Sequence, residues 1–191
     1  TLDHPELYDF VDMSQNNHNK GDTHWRNAIW VRDYLKAQPR PMNTVKTYGA
    51  DSGIYGNNQD GVERVFRHVL AGFATARFHR PPAGMGMSAP AQATVKALRK
   101  METIVSAWDL KPSMDRLSER QPNEAYLAAA DDRIFVAYFP AGGTVDLSIP
   151  VGQYTLHWID GSNGEWGATV QLRVAPDVAV SLDAPSKAHW L

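Results

Sequence analysis

The sequence predicts an α/β region followed by a β region: the last three βα units of a (β/α)8 barrel, then a small antiparallel β-sandwich. In the first half, three short apolar runs each end in polar residues and are each followed by a one-sided helical stripe. Beyond about residue 125, helical periodicity gives way to short strand-like runs separated by turn residues. We therefore expect a barrel portion at residues 1–112, a linker at 113–124 and an accessory domain at 125–191.

The first unit pairs a strand around Phe10 with a helix from Thr23 to about Ala37. Asp22 is a candidate N-cap for this helix, and two prolines, Pro39 and Pro41, end it. Its apolar stripe consists of Trp25, Ala28, Ile29, Val31 and Leu35. A short buried strand followed by an amphipathic helix is the repeating unit of parallel α/β folds.

The second and third units repeat this order. A strand around Val45 precedes a helix near Gly61, and a strand at Ala74–Phe78 precedes a helix that begins near Pro90. The second helix carries the stripe Val62, Val65, Phe66, Val69, Leu70 and Phe73. The third carries Ala91, Val95, Leu98, Met101 and Val105. Right-handed crossovers would place the three strands in one parallel sheet.

The last part of the chain contains six strand candidates. They are Tyr126–Ala130, Arg133–Phe139, Thr144–Ile149, Gln153–Ile159, Thr169–Val174 and Val178–Leu182. Asp, Asn, Gly and Pro separate them, which is typical of hairpin turns. This spacing predicts a small antiparallel β-sandwich.

Polar side chains follow the first strand, where substrates bind in α/β folds. Asp12, Gln15 and Asn16 lie there, and His24 is near the start of the next helix. Carboxylates and amides suit a sugar, because each hydroxyl group both donates and accepts a hydrogen bond. A loop that satisfies its own backbone with these side chains explains the same pattern, and both interpretations stay open.

The ends of the second and third strands offer Lys46, Tyr48, Asp51, Arg77 and His79. Asp51 is a candidate for one of the two carboxylates that glycoside hydrolysis needs, although Asp-Ser-Gly is also good turn chemistry. Arg77 and His79 alternate along the strand and so share one face. An arginine on that face could hold a catalytic carboxylate ionised or could balance an acidic residue on a neighbouring strand.

Composition excludes several classes of function. Nineteen basic and 21 acidic residues give a net charge of −2, which provides no footprint for nucleic acid or an anionic membrane. No apolar run is long enough to span a bilayer. The absence of cysteine excludes disulfides and thiolate chemistry, and the histidines lack metal-ligand spacing. We predict no cofactor and no metal.

These residues resemble the last strand–helix units of apiosidase-like TIM-barrel glycoside hydrolases. The matching stretches are Asp12-Met13-Ser14-Gln15-Asn16, Arg40-Pro41-Met42-Asn43, Tyr48-Gly49-Ala50-Asp51, Arg67-His68-Val69-Leu70-Ala71-Gly72 and Arg77-Phe78-His79-Arg80-Pro81. The later part is similar to the C-terminal β-sandwich of that group, a module named for collagen binding. It matches at residues 133–140, 157–160 and 164–166.

The resemblance implies part of a secreted or periplasmic hydrolase that cleaves an oligo- or polysaccharide with two carboxylates. Asp12 and Asp51 would be catalytic. Seven other polar residues would bind substrate: Gln15, Asn16, His24, Lys46, Tyr48, Arg77 and His79. The family's acid/base lies upstream of the residues given, so we expect another chain or segment to supply the missing strands. Lys46 stands where the family has its nucleophilic glutamate. The alternative is therefore a catalytically altered carbohydrate-binding protein. A weaker third reading makes the last domain an adhesion module.

Overall fold

The computed structural model describes residues 2–49 and 56–191 and divides into two compact units, residues 1–91 and 92–191. The boundary falls inside a helix. Asp51, one of the two predicted catalytic carboxylates, lies outside the described residues.

The first unit contains a small parallel sheet and two helices that follow its first two strands. The strands are β1 (Val11–Asp12), β2 (Met42–Thr47) and β3 (Thr75–Phe78), ordered β1-β2-β3. The helices are α1 (Gly21–Tyr34) and α2 (Asn58–Leu70). Both lie within two or three residues of their predicted positions. Lys20 occupies the N-cap position of α1 without a side-chain capping bond, and the predicted cap, Asp22, lies in the first turn instead.

Local sequence explains the bounds of α2. The Asn57 side-chain oxygen accepts a hydrogen bond from the backbone N–H of Asp60 at 2.8 Å, and the Asp60 carboxylate accepts one from the backbone N–H of Asn57 at 3.1 Å. This capping box starts the helix. Gly72, at φ +86°, ends it, because its positive φ lets the Phe73 amide reach the His68 carbonyl at 3.0 Å.

The second unit contains most of α3 (Ala89–Met101) and three small antiparallel sheets. One sheet is β4 (Lys111–Pro112), β6 (Tyr126–Ala130) and β7 (Ile134–Tyr138). Another is β5 (Leu117–Ser118), β8 (Thr144–Leu147) and β11 (Val180–Asp183). The third is the hairpin of β9 (Gly152–Asp160) and β10 (Glu165–Val174).

A cluster of apolar side chains holds the second unit together. Its fully buried members include Ala125, Leu127, Phe139 and Val145, and Trp158 packs against them. The rings of Phe139 and Trp158 lie 5.7 Å apart between centroids. These residues come from different sheets, so burial of apolar surface joins the sheets.

The predicted fold class, the last three βα units of a (β/α)8 barrel followed by a β-sandwich, is wrong. The described residues form a mixed α/β fold with three short helices, and most strands lie in small antiparallel sheets. The parallel sheet is short: β1 has two residues and β3 has four. Periodicity locates the three helices and the longer strands and misses the two-residue strands β4 and β5. It does not encode closure into a barrel, which depends on strand length and stagger.

Candidate functional site

A row of polar side chains crosses one face of the parallel sheet. Asp12 is in register with Asn43, and Asn43 is in register with Thr75. The Thr75 hydroxyl donates to the Asn43 side-chain oxygen at 3.2 Å, so these two side chains point the same way. Asp12 and Thr75 are exposed and Asn43 is half-buried. We call these three residues the polar row.

The opposite face of the sheet explains why the polar row points outward. Val11, Met42 and Thr44 are buried, and α2 contacts β2 and β3 within this unit. Because successive side chains of a strand alternate between faces, burying these residues turns their neighbours away from the helices. The face that carries the polar row is left uncovered by α1 and α2.

Four of the predicted substrate-binding residues lie near the carboxyl ends of β2 and β3. Lys46 and Arg77 are exposed, and Arg77 shares the face of Thr75, two residues earlier. Tyr48 and His79 are half-buried, and their rings meet edge to face at 5.5 Å between centroids. The structure therefore brings Tyr48 and His79 together.

Gln15 and His24 lie elsewhere, in a polar cluster between α1 and α2. The Gln15 amide nitrogen donates to the His24 carbonyl at 2.8 Å, and Gln15 accepts from Asn27 at 3.1 Å. Both predicted residues are buried, His24 completely. These two residues hold the loop after β1 against α1, which agrees with the interpretation that the polar side chains of this loop serve its own structure.

The centre of this cluster is a buried ion pair. Glu63 and Arg67 lie one turn apart on α2, with 2.7 Å between the Glu63 carboxylate and the Arg67 guanidinium. Gln59 also donates to Glu63, at 2.9 Å. The Arg67 Nε donates to Nδ1 of His24 at 3.4 Å. Since arginine only donates, Nδ1 of His24 carries no proton and the ring is neutral.

Burial keeps two histidines of the cluster uncharged. Burial, reinforced by His68, Arg67 and Arg64, lowers the pKa of His24 well below its usual value. Burial beside Arg67 and Arg64 lowers the pKa of His68 to about 3. The two rings lie 4.4 Å apart between centroids, and His68 also contacts Phe73 at 4.5 Å. Neither nitrogen of His68 has a hydrogen-bond partner in the described structure.

Arg64 shapes the loop between β1 and α1. Its guanidinium donates to the carbonyls of Asn17 and Asn19, both at 2.8 Å, and more weakly to that of Asn16 at 3.5 Å. Burial next to Arg67 lowers its pKa to about 10, so it stays charged at neutral pH. The Asn16 side chain is exposed and accepts from the His18 amide at 2.9 Å, a local turn.

Sequence reasoning missed Asn43 and Thr75 as site residues. Alternation along each strand was the available signal, because Asn43 follows a buried methionine and Thr75 is two residues before Arg77. It also missed Glu63 and Arg67. Their i, i+4 spacing is common on exposed helix faces, so nothing marked this pair as buried.

The chemistry available at the polar row is limited by its one carboxylate. Strands β1, β2 and β3 carry Asp12 and no other acidic residue. Within residues 2–49 and 56–191, no group of three or more acidic or histidine side chains could hold a metal ion. In the same residues, no helix combines the length and apolar character needed to cross a bilayer. The site can bind through hydrogen bonds and positive charge.

Comparison with known proteins does not identify the chain: no protein-family model matches it, and no curated protein matches it.

Proposed function

We propose that this chain is the sugar-binding part of a carbohydrate-active protein, and that the polar row is its binding surface. The observation that carries the proposal is the alignment of Asp12, Asn43 and Thr75 across three neighbouring strands on an uncovered face. A carboxylate, an amide and a hydroxyl together offer donors and acceptors at the spacing of adjacent strands, about 4.8 Å. Neighbouring sugar hydroxyls need such a mixed surface.

The groups at the carboxyl ends of β2 and β3 support the same proposal. Arg77 continues the polar face, and its five N–H donors suit vicinal hydroxyls or an acidic sugar. The exposed Lys46 adds a second positive charge. Tyr48 and His79 supply rings at the end of the sheet, where a pyranose could stack.

Binding without turnover is favoured over hydrolysis because the described strands offer one carboxylate. Glycosidases of the usual kind place two carboxyl groups on opposite sides of the bond that they cleave. A lysine amine cannot replace the nucleophile, because it forms no glycosyl ester. A polysaccharide ligand would place the protein outside the cytoplasm, secreted or periplasmic. We also propose that another chain or segment covers part of this face, since parallel sheets are normally covered on both faces.

A binding screen tests the proposal. Soluble plant and microbial polysaccharides and their oligosaccharides would be titrated into the purified chain and followed by calorimetry. We expect at least one ligand to bind and Arg77→Ala to weaken that binding about tenfold, the effect of losing roughly 1.4 kcal/mol. The matched control is Arg99→Ala, because Arg99 is an exposed arginine on α3 and lies in the other unit. Absence of binding across the screen, or equal effects of the two substitutions, would contradict the proposal.

Glycoside hydrolysis is the second candidate, favoured by the exposed carboxylate of Asp12 at the end of β1. Aryl glycosides would be incubated with the native chain, Asp12→Asn and Asp51→Asn. Release of the aryl alcohol by the native chain, lost in both variants, would establish the hydrolase. Binding without release would leave the sugar-binding proposal.

A further inference from the structure

The burial pattern of β2 changes near the carboxyl end of the strand. Met42, Thr44 and Thr47 are buried, whereas a regular strand would bury every second position. The pairing with β3 is irregular at the same place, because Thr44 is in register with Ala76 and Thr47 is in register with Phe78. Two residues of β2 therefore lie opposite a single residue of β3, which is a β-bulge.

The bulge turns Lys46 onto the face of the polar row. Val45 and Lys46 lie opposite Arg77, and both stand between buried threonines, so their side chains turn away from the helices. Without the additional residue, Lys46 would alternate with Val45 and point to the buried face with Thr44. Arg77 reaches the same uncovered face two residues after Thr75, and both cations are exposed there. We call Lys46 and Arg77 the cation pair.

The fold itself gives the cation pair no structural partner. In residues 2–49 and 56–191, neither side chain forms an ion pair or a hydrogen bond. Asp12, the one acidic residue of the three strands, is in register with Asn43, three residues before Lys46. Like charges at neighbouring positions of adjacent strands repel each other, which lowers stability. Because bulges that redirect a side chain are frequent next to active sites, this arrangement indicates a site for an anion.

We propose that the cation pair binds the carboxylate of an acidic sugar unit, and that the ligand of the polar row is a polysaccharide containing uronic acid. This inference rests on the proposed sugar-binding function and narrows it to one class of ligand. The Arg77 guanidinium presents parallel N–H donors that match both oxygens of a carboxylate. The Lys46 ammonium adds a second positive charge from the neighbouring strand, so the carboxylate is held from two sides.

The spacing along the sheet fits the shape of a uronate ring. Successive residues on one face of a strand lie about 7 Å apart, and this distance separates Thr75 from Arg77. A hexuronate carries its carboxyl group on C5, and the hydroxyl groups of C2 and C3 lie on the opposite side of the ring. With the carboxylate at the cation pair, those hydroxyl groups would reach the Asn43 amide and the Thr75 hydroxyl. The rings of Tyr48 and His79 lie beyond the cation pair, where the next sugar unit would stack.

Two features favour a uronate over a free phosphate or a polyanion such as nucleic acid. The cation pair adjoins an amide and a hydroxyl group, which match sugar hydroxyls rather than further anionic groups. Lys46 and Arg77 are also the only basic residues of β1, β2 and β3. A surface for nucleic acid needs many more phosphate contacts than two cations provide.

Binding of acidic trisaccharides and of their methyl esters tests this inference. Trigalacturonate, triglucuronate and trimannuronate would each be titrated by calorimetry into the purified chain, together with the corresponding fully methyl-esterified compound. Esterification removes the negative charge and leaves the hydroxyl groups in place. We expect at least one acid to bind about tenfold more tightly than its ester, the effect of losing a charge-assisted hydrogen-bonded pair.

Two variants locate the effect in the cation pair. Lys46→Gln should weaken binding of that acid about fivefold and bring its affinity close to that of the ester. Lys36→Gln is the matched control and should keep the tenfold preference. Lys36 is an exposed lysine of the same unit that follows α1 and pairs with Asp33 at 2.7 Å. The melting temperature of Lys46→Gln should equal or exceed that of the native chain, because repulsion within the cation pair is relieved.

The outcomes separate this inference from the proposed function. A preference for an acid over its ester, reduced by Lys46→Gln and kept by Lys36→Gln, supports the uronate site. Equal binding of acids and esters would overturn it and leave the polar row as a surface for neutral sugars. A preference that Lys46→Gln leaves intact, or binding of inorganic phosphate as tight as that of the acids, would overturn it as well. So would absence of binding by every trisaccharide, whereas the wider polysaccharide screen decides the proposed function separately.

Discussion

The two units of the chain differ in the charged side chains that they bury. In residues 1–91, the contact between α1 and α2 contains Gln15, His24, Glu63, Arg67 and His68, all of them buried. In residues 92–191, the side chains that join the sheets form an apolar cluster. The first unit thus adds a buried, charged cluster to its apolar core, which includes Val65, Phe66 and Leu70, whereas an apolar cluster joins the sheets of the second unit.

This difference determines how each unit responds to change. A buried ion pair recovers its desolvation penalty only while both partners are present, so removing one partner is expensive. Apolar burial is not directional, and its loss scales with the volume removed. Both units should therefore be sensitive to cavity formation, whereas the first should be the more sensitive of the two to single charge changes and to pH.

The largest expected effect is that of Arg67→Met. Arg67 is completely buried, and its removal leaves the Glu63 carboxylate in the interior without its ion-pair partner. We expect a loss of about 3–5 kcal/mol in the free energy of unfolding. Urea denaturation gives the size of the loss. Hydrogen exchange resolved by segment should place it in α1 and α2 and leave β6 to β8 unchanged.

Two further variants sharpen this result. Arg99→Met removes an exposed arginine that pairs with Glu102 at 2.8 Å and should change stability little. The double variant Glu63→Leu, Arg67→Met removes both charges and should recover much of the loss. A loss below about 1 kcal/mol for Arg67→Met alone would mean that the polar cluster does not hold the first unit together.

The second unit should respond to a cavity. Leu127 is completely buried on β6 within the apolar cluster. Leu127→Ala should cost about 3 kcal/mol, equally at pH 7 and pH 5, because no charged group is involved. Val178→Ala, at a side chain that is 57 % exposed, is the matched control and should cost little. A pH-dependent loss in Leu127→Ala would contradict the comparison between the units.

The sequence predicted the individual elements better than their arrangement. The stripe from Val62 to Phe73 located α2, and the run Tyr126–Ala130 matches β6 without error. These patterns depend on local alternation between buried and exposed positions, which a sequence displays directly. The barrel was wrong because it required strand length and stagger. A strand as short as β1, with two residues, gives no information about strand length or stagger in the rest of a sheet.

The site was predictable where it depends on alternation and unpredictable where it depends on packing. Arg77 lies within β3 and His79 directly after it, at the end of the strand where the sequence placed both, and the rings of Tyr48 and His79 are in contact. Gln15 and His24 are residue types that suit a sugar site, yet both are buried. The His24 ring accepts from Arg67, forty-three residues later, and the Gln15 side chain donates to the His24 carbonyl. Such a contact is a product of how α1 packs against α2, and single-residue chemistry does not specify it.

The smallest predicted effect concerns pH. The pKa of His68 is about 3 in the folded chain, whereas an unfolded chain has about 6.5. Between these values the unfolded state binds a proton that the folded state does not, so stability falls as pH falls from 6.5 toward 3. From pH 7 to pH 5, His68 alone should cost about 2 kcal/mol, with the loss confined to the first unit.

His68→Phe separates this proton effect from general acid destabilisation. A phenyl ring keeps the contacts with His24 and Phe73 and removes two buried nitrogens that have no hydrogen-bond partner. At pH 7 the variant should be about 1 kcal/mol more stable. At pH 5 it should lose less than the native chain, the rest of the loss being due to His24. His18→Gln, an exposed control, should follow the native pH dependence. If His68→Phe also followed the native pH dependence, that dependence would arise outside this cluster. The buried polar groups of the first unit would then not explain a difference in pH sensitivity between the two units.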